Sequence, residues 1–167
     1  NIVSDHIIIE TSLNSSKVLN IINKFENLSL VGYGNSIEIF KQVGNPKDVV
    51  KNFNLEKLSG SHAIGHTRMA TESAITTDGS HPYSTGKDEC LVHNGSLSNH
   101  NNLRRSLKKR GILIKSQNDT EVAAGYISDG LSNNKSLKET LIDGLKDLDG
   151  FYTFISGTKN GMAIVRD

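Results

Sequence analysis

Tryptophan is absent from this 167-residue sequence, and aromatic residues make up only 5% of it. A surface built to stack nucleic-acid bases is therefore not expected. Cysteine occurs once, as Cys90, which excludes an internal disulfide framework and fits a reducing compartment. No apolar run approaches the roughly 20 residues that a membrane-spanning helix needs. Nineteen basic residues against eighteen acidic ones leave a net charge of +1, so no global field draws the chain to nucleic acid or lipid. With no charged-then-apolar leader at the start, secretion is not expected either. The expectation is a cytoplasmic protein without nucleic-acid or membrane partners. What remains is the composition of one globular domain, 35% hydrophobic and 22% charged, long enough to bury a core.

Residues 6–10 are a short β-branched run that reads as a strand. Behind a Ser16 cap, Val18, Ile21, Ile22 and Phe25 recur at helical spacing and predict a helix of about three turns. Residues 28–33 and 37–43 read as strands joined by a tight Gly34-Asn35 hairpin. Pro46, favoured at a first helical position, opens a short helix through Phe53. Residues 63–68 and 90–93 read as buried strands on either side of a long polar segment, 71–88, of the kind that is a functional loop or disordered. Helices are expected over 99–110, 119–131 and 137–148, then a hairpin of 151–156 and 162–165 turned by Asn160-Gly161. The chain opens on Asn1 rather than Met and ends in a strand without a closing turn, so both ends are expected to be cuts.

Three segments hold more reactive groups than a fold requires: Gly65-His66-Thr67-Arg68-Met69-Ala70-Thr71; Ser80-His81-Pro82; and Val92-His93-Asn94-Gly95, followed further on by Asn118-Asp119-Thr120-Glu121. Arg68, at the end of an apolar stretch, needs an anionic partner. That partner is a carboxylate such as Glu72 or the carboxylate of a ligand gripped by the guanidinium fork. Asn94-Gly95 is either a simple turn or an oxyanion hole, in which the Asn amide and the Gly N–H converge on one developing negative oxygen. Asp119 at a helix start is either an N-cap or the acceptor for a substrate ammonium.

The six histidines do not form a familiar metal site. His62 and His66 have i, i+4 spacing, but on a strand they would stand roughly 13 Å apart, too far to share a zinc ion. The basic run Arg104-Arg105…Lys108-Lys109-Arg110 surrounds a Leu103/Leu107 stripe and reads as the solvated face of an amphipathic helix. Cys90 precedes Leu91 and Val92 in an apolar strand, where burial would raise its pKa and make it an inert core residue.

Taken together, the segments resemble the class II glutamine amidotransferases, the glutaminase domains of enzymes such as glutamate synthase, glucosamine-phosphate synthase and amidophosphoribosyltransferase. Gly65-His66-Thr67-Arg68 looks like the family's G-H-T-R, His81-Pro82 its H-P loop, His93-Asn94-Gly95 its H-N-G and Asp119-Thr120-Glu121 its D-[ST]-E. The resemblance runs over about residues 37–167. Met69, where many relatives have Trp, together with Ser80-His81-Pro82, looks most similar to the glutamate-synthase-like branch, which includes a subunit of N-methylglutamate synthase. It implies an α+β fold, a four-layer α/β/β/α sandwich of the N-terminal-nucleophile hydrolase type, here incomplete.

The resemblance also implies roles. Arg68, with Thr67 beside it, would grip the α-carboxylate of L-glutamine, and Asp119 its α-ammonium. Asn94 and Gly95 would form the oxyanion hole, and His81 would line the pocket. No metal or organic cofactor is implied; the partner would be a synthase domain or subunit that receives ammonia. The family's nucleophile is a cysteine at the mature N-terminus, which would lie upstream of Asn1. On that expectation the single domain, 1–167, lacks both its nucleophile segment and its C-terminal end, and is inactive alone. A non-catalytic glutamine-binding subunit and a scaffolding subunit of a glutamate-synthase-like complex are the alternatives.

Overall fold

A computed structural model describes residues 2–69 and 74–167. A small hairpin, β1 (Ile2–Val3) and β2 (His6–Ile7), opens it and is shorter than the strand expected over 6–10. Helix α1 (Ser15–Ile22) follows, capped by the Asn14 side chain on the Ser16 N–H rather than by Ser16 itself. It is also a turn shorter than expected, because Asn23 closes it and Phe25 lies beyond, half exposed to solvent. Helix α2 (Pro46–Asn52) starts with Pro46 inside an Asn45 cap, as the sequence predicts.

The main body is a three-stranded antiparallel sheet, β3 (Glu89–Leu97), β4 (Gly150–Thr158) and β5 (Gly161–Arg166), in the order β3-β4-β5. Three helices lie between β3 and β4 in sequence: α3 (His100–Lys109), α4 (Asp119–Ser132) and α5 (Leu137–Asp147). Side chains alternate across a strand. Leu91, Leu97, Tyr152 and Phe154 therefore fall on one face of the sheet, where they meet Ala123, Ala124 and Ile127 of α4 and Leu141 of α5. Local chemistry ends each helix. Ser136 and Glu139 close a capping box at the start of α5. Asn99 clamps α3 to the end of α5, donating to the Asp147 carbonyl at 2.8 Å and accepting from the Asp149 N–H at 3.2 Å.

The other face of the sheet is apolar and only partly covered. Ile164 is 72% exposed and Phe151 67%, while Ile64 packs against Gly157 next to Cys90. The segments 28–33, 37–43 and 63–68, expected as strands, belong to no ladder; among the described residues they contribute one isolated bridge, Tyr33 to Lys87. A strand persists only where a neighbour takes its backbone hydrogen bonds. Here the N–H groups of Asn35, Ser36 and Ile37 turn to the buried Asp88 carboxylate instead, at 2.7, 2.7 and 3.3 Å. A sheet layer and a helix layer of the expected sandwich are thus formed, and the described residues build no second large sheet.

Beneath α4, Glu89 is 6% exposed and accepts from the Ser128 hydroxyl. Burial raises its carboxyl to about 7, against the lowering effect of hydrogen bonds from Ser128 and the Gly86 backbone. Between the unfolded value and about 7 the folded state holds a proton that the unfolded state has lost, so stability falls as pH rises through that window. We expect the complete protein to lose about 1–3 kcal/mol from this source between pH 5 and 8. Urea unfolding of Glu89→Gln over the same range should show that part of the slope removed.

Candidate functional site

The first turn of α4 places three consecutive polar side chains, about 100° apart around the helix, on three different partners. Asn118, not Asp119, is the N-cap; its side chain accepts from the Thr120 N–H at 2.9 Å. Asp119, the first helical residue, accepts the Leu97 N–H on Oδ2 at 2.9 Å, and its Oδ1 lies 3.7 Å from His93 Nδ1. Burial opposes its charge, but the nearby His93 ring and the hydrogen bond from the Leu97 N–H outweigh it and hold the carboxyl below its ordinary range. Glu121 turns back to accept the N–H groups of Lys115 and Ser116 at 2.9 and 2.6 Å.

Thr120 is 1% exposed, and its hydroxyl stands 3.0 Å from both His81 Nε2 and His93 Nδ1. His66 stacks on His81 with ring centroids 4.2 Å apart. Burial, then the neighbouring His66 and His93 rings and the Arg68 and Lys41 cations, push His81 down to about 3. Burial also lowers His66. The G-H-T-R, H-P, H-N-G and D-[ST]-E segments, far apart in sequence, are thereby joined in one buried polar cluster.

Within it, Asn94-Gly95 is not a turn. The pair continues β3 in mid-strand opposite Thr153 and Tyr152, and residues 94–96 are exposed along it. Gly95 has φ +141°, and a Cβ there would stand 2.1 Å from the Phe151 carbonyl oxygen, so only glycine fits. Arg68 is half-buried, with Nη1 donating to the Gly79 carbonyl at 2.8 Å; it belongs to no strand. Glu72, the carboxylate suggested for it, lies outside the described residues. Thr67 is exposed beside it. His62 is not on a strand either, and its Nδ1 is 2.9 Å from the Ser61 hydroxyl. Cys90 is a buried core residue whose thiol is pushed up by burial, as expected.

Two basic residues have roles that sequence reasoning missed. Arg104 is not simply part of a solvated face: its Nη1 donates to the Ser116 carbonyl at 2.6 Å and braces the loop before α4. Lys41 is 6% exposed; its ammonium donates to the carbonyls of Asp78 and Ser80 at 3.2 and 2.9 Å and lies 4.4 Å from the Tyr83 ring centre. Burial pulls it down to about 8, while the Asp78 and Glu121 charges act the other way. The signal was present, since Lys41 alternates in register with Ile37, Ile39 and Val43 on an otherwise apolar face. Lys41 also lines a cavity of about 120 Å³ with Asp78, Tyr83, Ser116 and Glu121. That cavity contains none of Arg68, Asn94, Gly95 and Asp119, so it is not the pocket these residues would form.

An antiparallel sheet under helices, with these four segments converging on one buried cluster, defines an amidotransferase of the N-terminal-nucleophile type, and comparison with known proteins agrees. Residues 66–167 match the family model described as glutamine amidotransferase domain. The chain is 59% identical over 141 residues to the "glutamine amidotransferase-like protein GlxB" of Rhizobium meliloti, covering 84% of this chain and 47% of that protein. It is 33% identical over 148 residues to a "putative glutamine amidotransferase" of Methanothermobacter thermautotrophicus, covering 87% and 48%. It spans about half the length of these two relatives. Among solved structures, the glutamine phosphoribosylpyrophosphate amidotransferase of B. subtilis, complexed with ADP and GMP, superposes with a TM-score of 0.65 at 29% identity, over 82% of this chain and 30% of that one. The chain belongs to the class II glutamine amidotransferase domain family.

Lys41→Met would strip a charged donor from the Asp78 and Ser80 carbonyls just ahead of His81 while keeping the volume of the side chain. We expect it to destabilise the complete protein by about 2–4 kcal/mol, read from its urea midpoint.

Proposed function

We propose that this chain is the glutamine-recognising part of a glutaminase domain that hydrolyses L-glutamine to L-glutamate and ammonia for a partner synthase. Asp119 is the observation that supports this most directly. Its carboxylate is kept ionised and is tied by the Leu97 N–H to the strand that bears Asn94 and Gly95. An ionised, partly buried carboxylate beside an open stretch of strand suits an ammonium ligand. On this reading Arg68 takes the α-carboxylate of glutamine and Asp119 its α-ammonium. Asn94 and Gly95 then steady the oxyanion formed when a thiolate attacks the side-chain amide. Ammonia leaves, and water releases glutamate from the thioester. Thr67 and His81 complete the walls of the pocket.

The thiolate in this reading is an N-terminal cysteine of the complete protein, preceding Asn1. Cys90 is unsuited to nucleophilic attack, because it is buried and burial raises its pKa. The chain by itself would therefore bind glutamine without hydrolysing it. The ammonia acceptor is proposed to be a glutamate-synthase-like partner in the cytoplasm, on the Met69 and Ser80-His81-Pro82 pattern of the sequence. No helix among the described residues is long and apolar enough to cross a membrane. The burial of Cys90 favours one second reading, a glutamine-binding subunit without hydrolysis, if the mature protein begins without a cysteine.

In the complete protein, Arg68→Ala and Asp119→Ala are expected to raise the KM for glutamine by about 100-fold or more, whereas Asn94→Ala lowers kcat by about 100-fold or more. Steady-state release of ammonia measures both. Cys90→Ala should leave kcat unchanged, and loss of activity in that variant would overturn the upstream nucleophile. N-terminal sequencing of the intact polypeptide separates the two readings, because only the hydrolase begins with cysteine.

A further inference from the structure

The buried cluster contains three side chains linked in a row, His81, Thr120 and His93, with the Asp119 carboxylate beside the far end. Thr120 is its centre. A hydroxyl has one proton, so it can donate to only one of the two rings that flank it. The far end sets the direction. Asp119 is ionised, and its Oδ1 stands 3.7 Å from His93 Nδ1. A bare ring lone pair facing that carboxylate would be repelled by it, so His93 Nδ1 bears a proton. Thr120 then accepts from His93, and its own proton, with no other acceptor among the described residues, goes to His81 Nε2. His81 keeps its own proton on Nδ1, and His93 in its neutral form has a bare Nε2. Among the described residues, neither His81 Nδ1 nor His93 Nε2 has a hydrogen-bond partner, and both atoms are buried. Position in the helix allows this arrangement. In the first turn of α4 the threonine hydroxyl has no helical carbonyl four residues back to bond, so it is available to tertiary partners.

We propose that Thr120 is a positioning residue of the site: its hydroxyl sets the tautomers of His81 and His93 in one direction, an N–H on His81 Nδ1 and a lone pair on His93 Nε2. The same hydroxyl ties the Ser80-His81-Pro82 segment to the strand that bears Asn94 and Gly95. The kinetic consequence rests on the glutaminase reading; the tautomers do not. Thr120 itself touches no substrate in this scheme. Its loss disturbs the placement of the oxyanion donors through His93, so the effect falls on turnover more than on glutamine binding.

The test uses the complete protein labelled with ¹⁵N at histidine. Long-range ¹H–¹⁵N correlations distinguish Nδ1–H from Nε2–H rings, and His81→Gln and His93→Gln assign the signals. Both His81 and His93 are expected in the Nδ1–H form in the unsubstituted protein. Thr120→Ser should keep that pattern, whereas Thr120→Val should lose it for His81. In glutamine hydrolysis, Thr120→Val is expected to lower kcat by about 10-fold or more with KM changed less than about 3-fold, and Thr120→Ser to restore kcat. An Nε2–H tautomer at either ring in the unsubstituted protein overturns the proposal, as does a folded Thr120→Val protein with unchanged kcat. A serine variant as impaired as the valine one also overturns it, since the methyl rather than the hydroxyl would then matter. Should Thr120→Val fail to fold, the tautomers of the unsubstituted protein decide alone. A complete protein without glutaminase activity refutes the functional reading, and the spectra still decide the role of Thr120.

Discussion

The start of α4 is packed polar side inward against β3, and that constraint organises the rest of the site. Burying hydroxyl, imidazole and carboxylate groups costs several kcal/mol per group if they are left without partners. Each of the three side chains therefore has a fixed partner. Asp119 meets the Leu97 N–H, Thr120 meets two imidazoles, and Glu121 meets the amides of the preceding loop. The helix cannot rotate or slide along the sheet without breaking the contacts of Asp119 and Thr120 with β3. Apolar contacts of Ala123, Ala124 and Ile127 hold the same helix down one turn later. The polar start thus sets the register and the apolar continuation supplies the hydrophobic stabilisation.

Around that contact the remaining elements act as braces. Lys41 grips the carbonyls of Asp78 and Ser80 just ahead of His81, and Arg104 grips the loop before α4. Both are cations whose donors go to backbone carbonyls. Glycine permits the close approach of β4 at position 95, where any Cβ would overlap the Phe151 carbonyl. The result is a site built from stiff parts: a strand that bears the proposed oxyanion donors, a helix start that bears an ionised carboxylate, and a loop pinned by a buried lysine. The other face of the sheet leaves Ile164 and Phe151 exposed among the described residues.

Much of this was legible in the chain. The helices and the final hairpin follow from local periodicity, capping residues and the Asn160-Gly161 turn, all signals within a few residues of one another. The family pattern was legible too, because G-H-T-R, H-P, H-N-G and D-[ST]-E keep their order and spacing. Local signals misled at Asn94-Gly95 and Asp119. The first reads as a hairpin turn and is mid-strand; the second reads as a cap and is the residue after one. In both cases a tertiary partner, β4 for Gly95 and the Leu97 N–H for Asp119, outweighed the local preference. The strands expected over 28–33, 37–43 and 63–68 failed for a related reason: apolar and β-branched composition proposes a strand, but only a neighbouring strand completes it.

The sequence by itself determined the helical elements, the burial of Cys90, the small net charge and the membership of the family. Each depends on composition or on contacts between near neighbours. Only the tertiary structure decided that Thr120 sits between His81 and His93, that Lys41 turns inward to hold the loop around His81, and that Asp119 is tied to the strand of Asn94 and Gly95. Such pairings join residues 22 to 39 positions apart. Side-chain spacing along one element carries no information about them, because they exist only once the sheet and α4 have packed and desolvated the polar groups between them.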